Sequence, residues 1–367
     1  MSDANPRARL PGLDLLRAIA VLWTMQFHSF IVGGLGPDWS WLSRYGWMGV
    51  DLFFVLSGYL IGGQLLQPLA HDETPSLHTF YLKRAFRILP VFWVVLAVYL
   101  LWPGFREAPG MEPWWKFALF VVNLDIDYAK SAFSHAWSLC VEEHFYLLFP
   151  ALALLLARKP SPLKFWVVCI AVLLGGIALR AGIWLHDDAV QPPRNWFVED
   201  IYYPTWNRLD GLLMGVMLAA WQAYRPASWA RAAKHANGFA LAGVVVMALA
   251  FWLFRDRVGL LGNSIGWPVL SAGLALLVFA GAQTHGMLGA RAVPGAGWIA
   301  AISYSLYLVH KPMYSVVQEH LGEMLEGQGV IAWLVYGLAS LVAAALLYYV
   351  VERPGLWLRK RLLAREK

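Results

Sequence analysis

Apolar runs of about 20 residues alternate with short polar segments along the whole chain. Because an α-helix needs about 20 apolar residues to cross a bilayer, the pattern predicts an all-α protein with about ten transmembrane helices. The predicted spans lie near residues 14–32, 47–66, 87–103, 136–157, 164–185, 208–223, 237–254, 263–283, 298–316 and 330–351. Residues 114–124 form a shorter apolar piece, which is either a tilted eleventh helix or a re-entrant or interfacial segment.

The composition supports the same class. Hydrophobic residues make up 59% of the 367 residues and charged residues 14%, whereas soluble domains have about 45–50% and about 25%. The polar segments are too short for a second folded domain. We therefore predict a polytopic membrane protein with one transmembrane domain over residues 1–367, including a cytoplasmic N-terminal segment, 1–12, and a basic cytoplasmic tail, 353–367.

The net charge of +6 comes from basic residues that cluster in alternate loops. This pattern is typical of topology signals in a membrane protein, and it differs from the basic stripe of a nucleic-acid-binding surface. It predicts that both termini are cytoplasmic and that the partners are lipid bilayer and small substrates rather than nucleic acid.

The cysteines and the N-terminal segment argue against a disulfide-stabilised protein, a metal protein and a cleaved signal peptide. Cys140 and Cys169 lie in apolar runs without metal-ligand spacing, so we expect packing roles, no disulfide and no metal site. Arg7 and Arg9 precede an apolar run as in a signal peptide, but that run contains Arg17 and lacks a small-residue cleavage site. We predict a retained first helix.

The first predicted span carries Arg17 and His28. Eleven residues at about 100° each bring them to nearly one helix face, about 16 Å apart along the axis. An Arg near a helix centre costs about 2.5–3.5 kcal/mol. Arg17 or His28 taken alone is explained as a side chain that reaches a membrane interface. The pair on one face instead predicts a permanent cation on the inner side of the membrane and a titratable base on the outer side.

The second predicted span begins with Gly49-Val-Asp51. Asp51 and His28 are each about four residues inside the outer ends of neighbouring antiparallel spans, so we expect them at similar depth. Asp51 either orients the His28 imidazole and raises its basicity or caps its helix. At Gly58 and Gly62 either a neighbouring helix or a ligand can approach closely, and we favour close helix packing.

Arg84 and Arg87 lie three residues apart at the cytoplasmic start of the third predicted span. They share a helix face, which suits recognition of phosphates by two guanidiniums. An ordinary inside-positive anchor explains either residue. Together with the deeper Arg17, they predict a cationic pocket.

Glu142 lies about two turns below the outer surface in the segment Ser134–Pro150, too deep for an ordinary loop charge. With the stretches above, the chain resembles acyltransferase family 3, integral-membrane O-acyltransferases that acylate sugars and related hydroxyl compounds. The residues that carry this resemblance are Arg17 with His28, Phe53-Phe-Val-Leu-Ser-Gly-Tyr59, Arg84 with Arg87, Trp137-Ser-Leu with Glu142 and Phe145-Tyr146, Arg208-Leu-Asp-Gly211 with Gly215, Ser303-Tyr-Ser-Leu-Tyr-Leu-Val-His310, and Glu352-Arg-Pro354.

The resemblance implies that Arg17, His28, Arg84 and Arg87 contribute to activity, with acyl-CoA, usually acetyl-CoA, as the donor and no permanently bound cofactor. It also implies a multi-pass protein of the bacterial plasma membrane. Many members carry a C-terminal extracytoplasmic esterase-like domain, and none follows the membrane domain before Lys367. We therefore expect either direct acylation of the acceptor or completion by a separate extracytoplasmic transferase.

Three later motifs are assigned by their depth. We expect Arg208 and Asp210 to form a mutual salt bridge at the outer end of their span, and Glu352 to pair with an inner cation such as Arg84 or Arg87.

Tyr304, Tyr307 and His310 recur on one face of a span that runs outward, where a structural hydrogen bond and a catalytic role for His310 are both open. Trp137, Tyr304, His310 and Asp210 are candidate substrate contacts.

The resulting hypothesis separates the site by depth. The three inner arginines hold the phosphates of cytoplasmic acyl-CoA, and its pantetheine arm passes between helices. His28, oriented by Asp51 or Glu142, takes the proton from an acceptor hydroxyl that attacks the thioester. A covalent acyl-enzyme is the alternative route.

The competing function is a transporter or exporter, since intramembrane charges also line solute pathways. The absence of an inverted repeat and the set of motifs favour an enzyme. The resemblance implies that the acceptor is a sugar, a glycan or a glycoside.

Overall fold

The computed structural model describes residues 10–36 and 39–365, which form an all-α bundle. Arg7 and Arg9 lie outside the described residues. Fourteen α-helices occur in this part of the chain, some of them extended by short 3₁₀ or π segments. They are α1 (Pro11–His28), α2 (Ser40–Ser43), α3 (Met48–Ala70), α4 (Leu77–Leu101), α5 (Trp114–Ala118), α6 (Ala136–Ala157), α7 (Pro162–Val190), α8 (Leu209–Tyr224), α9 (Pro226–Ala233), α10 (Ala236–Leu253), α11 (Trp267–Gly281), α12 (Ala296–Leu325), α13 (Val330–Leu347) and α14 (Arg353–Arg365).

Eight helical segments of the described chain are long and apolar enough to cross a membrane. This confirms a polytopic membrane protein. The segments are Pro11–Val32, Ser40–Ala70, Leu77–Leu101, Ala136–Ala157, Pro162–Val190, Ala236–Leu253, Gly262–Gly281 and Val330–Ala364.

The two other predicted spans are present as helices of a different character. α8 has 16 residues, and α12 has 30 residues with His310 and Lys311 buried near its middle. The apolar piece 114–124 contains only the five-residue α5, followed by turns. At 1.5 Å per residue, α5 is too short to cross a bilayer.

α4 begins ten residues before the predicted span because its N-terminus is capped. The Ser76 side chain accepts a hydrogen bond from the Thr79 amide, 3.2 Å away, and such a cap satisfies one of the free amides of the first turn. The cap brings Arg84 and Arg87 into the helix, where residues three apart lie on one face.

α3 lies at the centre of the bundle and packs against α1, α6, α8 and α11. α3 and α8 approach each other through their backbones. A Cβ atom added to Gly58 would lie 2.1 Å from the Leu212 carbonyl oxygen, and one added to Gly215 would lie 2.2 Å from the Val55 carbonyl oxygen. The predicted use of Gly58 for close helix packing is confirmed, because only glycine fits at this contact.

Replacing Gly58 with Ala tests this contact. Because the added methyl meets backbone rather than a flexible side chain, we expect Gly58→Ala to destabilise the protein by about 1–3 kcal/mol. The matched control is Gly63→Ala in the same helix, where an added Cβ meets nothing within 4 Å. Thermal unfolding in detergent measures both variants, and equal stability of the two would contradict the close approach.

Candidate active site

Two histidines from distant parts of the chain meet at one end of the bundle. His28 is the last residue of α1, and His310 is buried within α12. His28 Nδ1 and His310 Nε2 are 2.8 Å apart, and the rings are inclined by 22°. We call His28 and His310 the histidine pair, and their end of the bundle the histidine end.

The Leu306 carbonyl determines where the hydrogens of the histidine pair lie. It is 3.1 Å from His310 Nδ1 and can only accept, so this nitrogen carries a hydrogen. In neutral His310, Nε2 is then an acceptor, and His28 Nδ1 donates to it. His28 Nε2 is left with its lone pair, which is the requirement for a general base.

The carboxylates predicted to orient His28 lie elsewhere. Asp51 accepts a hydrogen bond from Arg208 Nη2, 2.8 Å away. Glu142 accepts one from the Ser57 hydroxyl and lies within electrostatic range of Arg84. The structure corrects this prediction, because the hydrogen-bond partner of His28 is His310. Sequence spacing gives the depth of a residue along a helix, but it does not give the direction in which the side chain points.

A buried network of charged and polar side chains lies beside the histidine pair. The Glu107 carboxylate accepts hydrogen bonds from Tyr99 (3.1 Å), Ser134 (2.7 Å) and His135 Nδ1 (2.7 Å), and it forms an ion pair with Lys311. We call these five residues the Glu107 network.

His135 carries a charge within the Glu107 network. Its Nε2 lies 3.1 Å from the Leu308 carbonyl oxygen, so both ring nitrogens face acceptors. Both must therefore carry hydrogens, and His135 is an imidazolium. Its ring centroid lies 5.4 Å from that of His310. The network thus places two cations and one anion beside the histidine pair, which disfavours a further positive charge there.

Sequence reasoning did not single out Glu107, His135 or Lys311. For Lys311 a signal was present, because a lysine directly after His310 inside a long helix is a charge at membrane depth. Glu107 and His135 lie in or beside a polar loop, where a charge is ordinary, so only their burial identifies them.

The three predicted phosphate-binding arginines lie together away from the histidine pair. Arg17 on α1 is within electrostatic range of Arg84 and Arg87 on α4. We call these three residues the arginine cluster. Arg87 Nη1 lies 2.5 Å from Glu352 Oε1, which confirms the predicted pairing, and Glu352 also accepts from Ser305 at 2.7 Å.

Arg84 retains an unused donor. Its Nε is buried and has no hydrogen-bond partner among the residues that the structure describes. Its Cζ lies 5.9 Å from the ring centroid of Tyr146, and the Glu142 and Glu143 carboxylates lie within electrostatic range. A buried donor without a partner is costly, so this guanidinium is suited to an oxyanion that enters from outside the chain.

Two of the predicted substrate contacts hold the bundle together. Asp210 accepts two hydrogen bonds from the fully buried Arg180, at 2.8 and 3.2 Å. Arg208 pairs with Asp51, so the predicted bridge between Arg208 and Asp210 is wrong. Residues two apart do not face each other on a helix, whereas facing helices supply partners. Trp137 covers the Arg208 guanidinium at 4.9 Å.

Polar side chains on one face of α12 lie between the arginine cluster and the histidine pair. The Tyr304 hydroxyl donates to the Ile88 carbonyl (3.1 Å) on α4, near the arginine cluster. The Tyr307 hydroxyl lies 2.6 Å from Ser138 Oγ, one turn further along, and His310 follows after another turn. Residues at this spacing share a face, so polar groups lie along α12 from the arginine cluster to the histidine pair.

The Glu107 network predicts a pH dependence of stability. Burial raises the pKa of the Glu107 carboxyl, but Lys311 and His135 outweigh this effect and lower the pKa from 4.5 to about 2. Because the folded-state pKa is the lower one, Glu107 stabilises the fold fully above pH 4.5, and this contribution is lost as pH falls towards about 2.

Thermal unfolding of Glu107→Gln in detergent should show a lower melting temperature at neutral pH and a smaller loss on acidification than the wild type. Glu326→Gln, at an exposed carboxylate, is the control. An unchanged acid profile in Glu107→Gln would exclude this role.

Comparison with known proteins identifies the family. Residues 10–349 match the acyltransferase domain family Acyl_transf_3. The chain is 26% identical over 378 residues to the putative peptidoglycan O-acetyltransferase of Bacillus subtilis, covering 94% of this chain and 54% of that protein. It is 27% identical over 340 residues to the peptidoglycan O-acetyltransferase of Listeria monocytogenes, covering 84% and 50%.

The chain is also 27% identical over 367 residues to the O-acetyltransferase of Staphylococcus aureus, covering 94% of this chain and 57% of that protein. It thus spans about half the length of the curated relatives that it matches. No solved structure is significantly similar to it. The match over residues 10–349 includes all but the last of the motifs on which the sequence resemblance depends, and the chain belongs to acyltransferase family 3.

Proposed function

We propose that the protein is an O-acetyltransferase that moves an acetyl group from cytoplasmic acetyl-CoA to a glycan hydroxyl at the outer face of the bacterial plasma membrane. The observation that carries the proposal is the contact of His28 Nδ1 with His310 Nε2, because it assigns the hydrogen of His28 to Nδ1 and leaves the lone pair on Nε2. The relatives named as peptidoglycan O-acetyltransferases favour a peptidoglycan-type acceptor.

The donor would bind through its phosphates. The arginine cluster places three guanidiniums at the predicted cytoplasmic side, and guanidiniums bind phosphate oxygens through paired donors. Arg87 is largely neutralised by Glu352, so Arg84 with its unpartnered Nε is the residue best placed for a phosphate.

The thioester would then reach the histidine pair along α12. Arg17 and His28 lie on one helix, about 16 Å apart along its axis, and an extended pantetheine arm joins the phosphates of CoA to its thioester. The polar groups of Tyr304 and Tyr307 lie along this interval. The charged end of the donor therefore remains near the arginine cluster while the acetyl group reaches the histidine pair.

His28 would act as base and then as acid. The acceptor hydroxyl attacks the acetyl carbonyl carbon, and its proton passes to His28 Nε2. The tetrahedral intermediate collapses with cleavage of the C–S bond. The leaving CoA thiolate takes the proton from Nε2, which restores the neutral imidazole. His310 accepts from His28 Nδ1 throughout and stabilises the imidazolium that forms between the two steps.

Removal of the base tests the proposal directly. General base catalysis contributes about 10²–10⁴-fold, so His28→Ala should reduce transfer from radiolabelled acetyl-CoA by about that factor while the protein still inserts. His310→Leu, which leaves His28 Nδ1 without an acceptor, should lower kcat more than His310→Gln, whose amide oxygen accepts. Normal turnover by His28→Ala would remove His28 from the chemistry, and solute flux across vesicles without any turnover would indicate a transporter.

Donor recognition is tested with two donors. Arg84→Gln should raise the KM for acetyl-CoA about tenfold or more, because a charge-assisted contact is lost, and should leave the KM for S-acetylpantetheine, which has no phosphate, unchanged. Lys360→Gln, at an exposed cation on α14, is the control. An unchanged affinity of Arg84→Gln for acetyl-CoA would reject the phosphate site.

A further inference from the structure

Arg359 lies on α14, beside the arginine cluster. Its Nη1 donates to the Lys83 carbonyl, 3.4 Å away, and Lys83 directly precedes Arg84 on α4. α14 packs against α4, and a Cβ atom added to Gly355 would lie 3.5 Å from the Phe86 carbonyl oxygen. Arg359 is half-buried. The last helix thus brings a further guanidinium to this end of the bundle.

The ion pair of Glu352 holds the start of α14 in place. A π-helical segment, Tyr348–Glu352, joins α13 directly to α14, and Glu352 in this segment pairs with Arg87 on α4. Arg359 follows Glu352 by seven residues. At about 100° and 1.5 Å per residue, this spacing returns it to nearly the same helix face, about 10 Å further along the axis. The face that carries Glu352 to α4 therefore carries Arg359 there as well.

The charged neighbours of Arg359 are cations. It lies within electrostatic range of Arg84 and Arg87, and both disfavour its positive charge. Among the residues that the structure describes, Arg359 forms no ion pair, since the carboxylate of Glu352 is taken by Arg87. Half-buried cations without a counter-charge repel one another, and an anion supplied by a ligand would relieve that repulsion.

The order of these cations matches the order of the phosphates in the proposed donor. In acetyl-CoA, the diphosphate is attached to the pantetheine arm, and a separate 3′-phosphate on the ribose lies farther from the thioester. Arg84 is the residue best placed for the diphosphate. The contact of Arg359 with Lys83 places it beyond Arg84, towards the predicted cytoplasmic start of α4. A phosphate monoester carries a charge of about −1.5 to −2 at pH 7, which suits this excess of cations.

We infer that Arg359 binds the 3′-phosphate of the donor and makes the protein select CoA thioesters over thioesters that lack this phosphate. The inference rests on the proposed function and names a specificity residue of the same donor site. A guanidinium binds phosphate oxygens through paired N–H donors. Residues 353–365 lie beyond the region that matches the family, 10–349, so this contact belongs to a part of the chain outside the matched domain.

Two donors that differ only in the 3′-phosphate test the site. Acetyl transfer by the purified full chain in neutral detergent is measured with acetyl-CoA and with acetyl-3′-dephospho-CoA. The variants are Arg359→Gln and the matched control Arg361→Gln. Arg361 is an exposed cation on the same helix, with its Cζ 3.4 Å from the ring centroid of Trp357.

We expect the wild type to have a KM for acetyl-CoA about tenfold or more below that for the dephospho donor, because a charge-assisted contact distinguishes them. Arg359→Gln should raise only the KM for acetyl-CoA and leave kcat unchanged, which removes the preference, and Arg361→Gln should keep it. Arg84→Gln should raise both KM values, because both donors retain the diphosphate.

Two results would overturn the inference. Equal KM values of the wild type for the two donors would do so, even if Arg359→Gln failed to fold. Loss of the preference in Arg84→Gln, with the preference intact in Arg359→Gln, would place the 3′-phosphate at Arg84 instead.

Binding without turnover separates this inference from the proposed function. CoA and 3′-dephospho-CoA are titrated by calorimetry. A preference for CoA that depends on Arg359, without acetyl transfer to any acceptor, would support the phosphate site and reject the proposed transfer. Transfer from both donors with equal KM values would overturn the site and leave the proposed function standing.

The phosphate of a lipid headgroup offers the same chemistry to Arg359. The assay is therefore repeated in bilayers with and without phosphatidylglycerol. An equal effect of Arg359→Gln on both donors, seen only with phosphatidylglycerol, would assign Arg359 to a lipid headgroup and overturn the inference. An effect confined to acetyl-CoA in both bilayers would support it.

Discussion

The structure depends on the requirement that charges inside the bundle have partners there. Asp51 on α3 pairs with Arg208 at the start of α8, and Asp210 on α8 pairs with Arg180 on α7. Four buried ionisable groups thus join three helices at one level. Breaking such a pair leaves an uncompensated charge and costs about 3–5 kcal/mol, and the contact of Gly58 with α8 permits this arrangement.

Against this background, two arginines of the described chain keep a buried donor that lacks a partner. Arg84 has a buried Nε without a partner, and Arg257 has neither an ion pair nor a partner for its Nε among the described residues. Arg84 belongs to the arginine cluster, whereas Arg257, in the segment between α10 and α11, contacts the Phe27 ring that also contacts His28.

The proposed base, His28, takes its tautomer from a chain of acceptors. The Leu306 carbonyl determines the tautomer of His310, and His310 determines that of His28. Behind them, the ion pairs of Glu107 with His135 and Lys311 hold the loop before α6 against α12. The positive charge of this network disfavours permanent protonation of the histidine pair, so a neutral imidazole is available to accept a proton.

The sequence alone determined the membrane class, the helical fold, the separation of arginines from histidines and the pairing of Glu352 with a cation of the arginine cluster. These properties depend on the length of apolar runs and on the spacing of residues along one helix axis, and both are local. Only the tertiary structure decided that His28 meets His310, that Arg208 pairs with Asp51 rather than Asp210, and that Arg257 lies among aromatic rings without a carboxylate partner in the described part of the chain. The physical reason is that spacing sets the depth of a side chain, whereas its partner depends on the rotation of each helix and on which helices pack side by side.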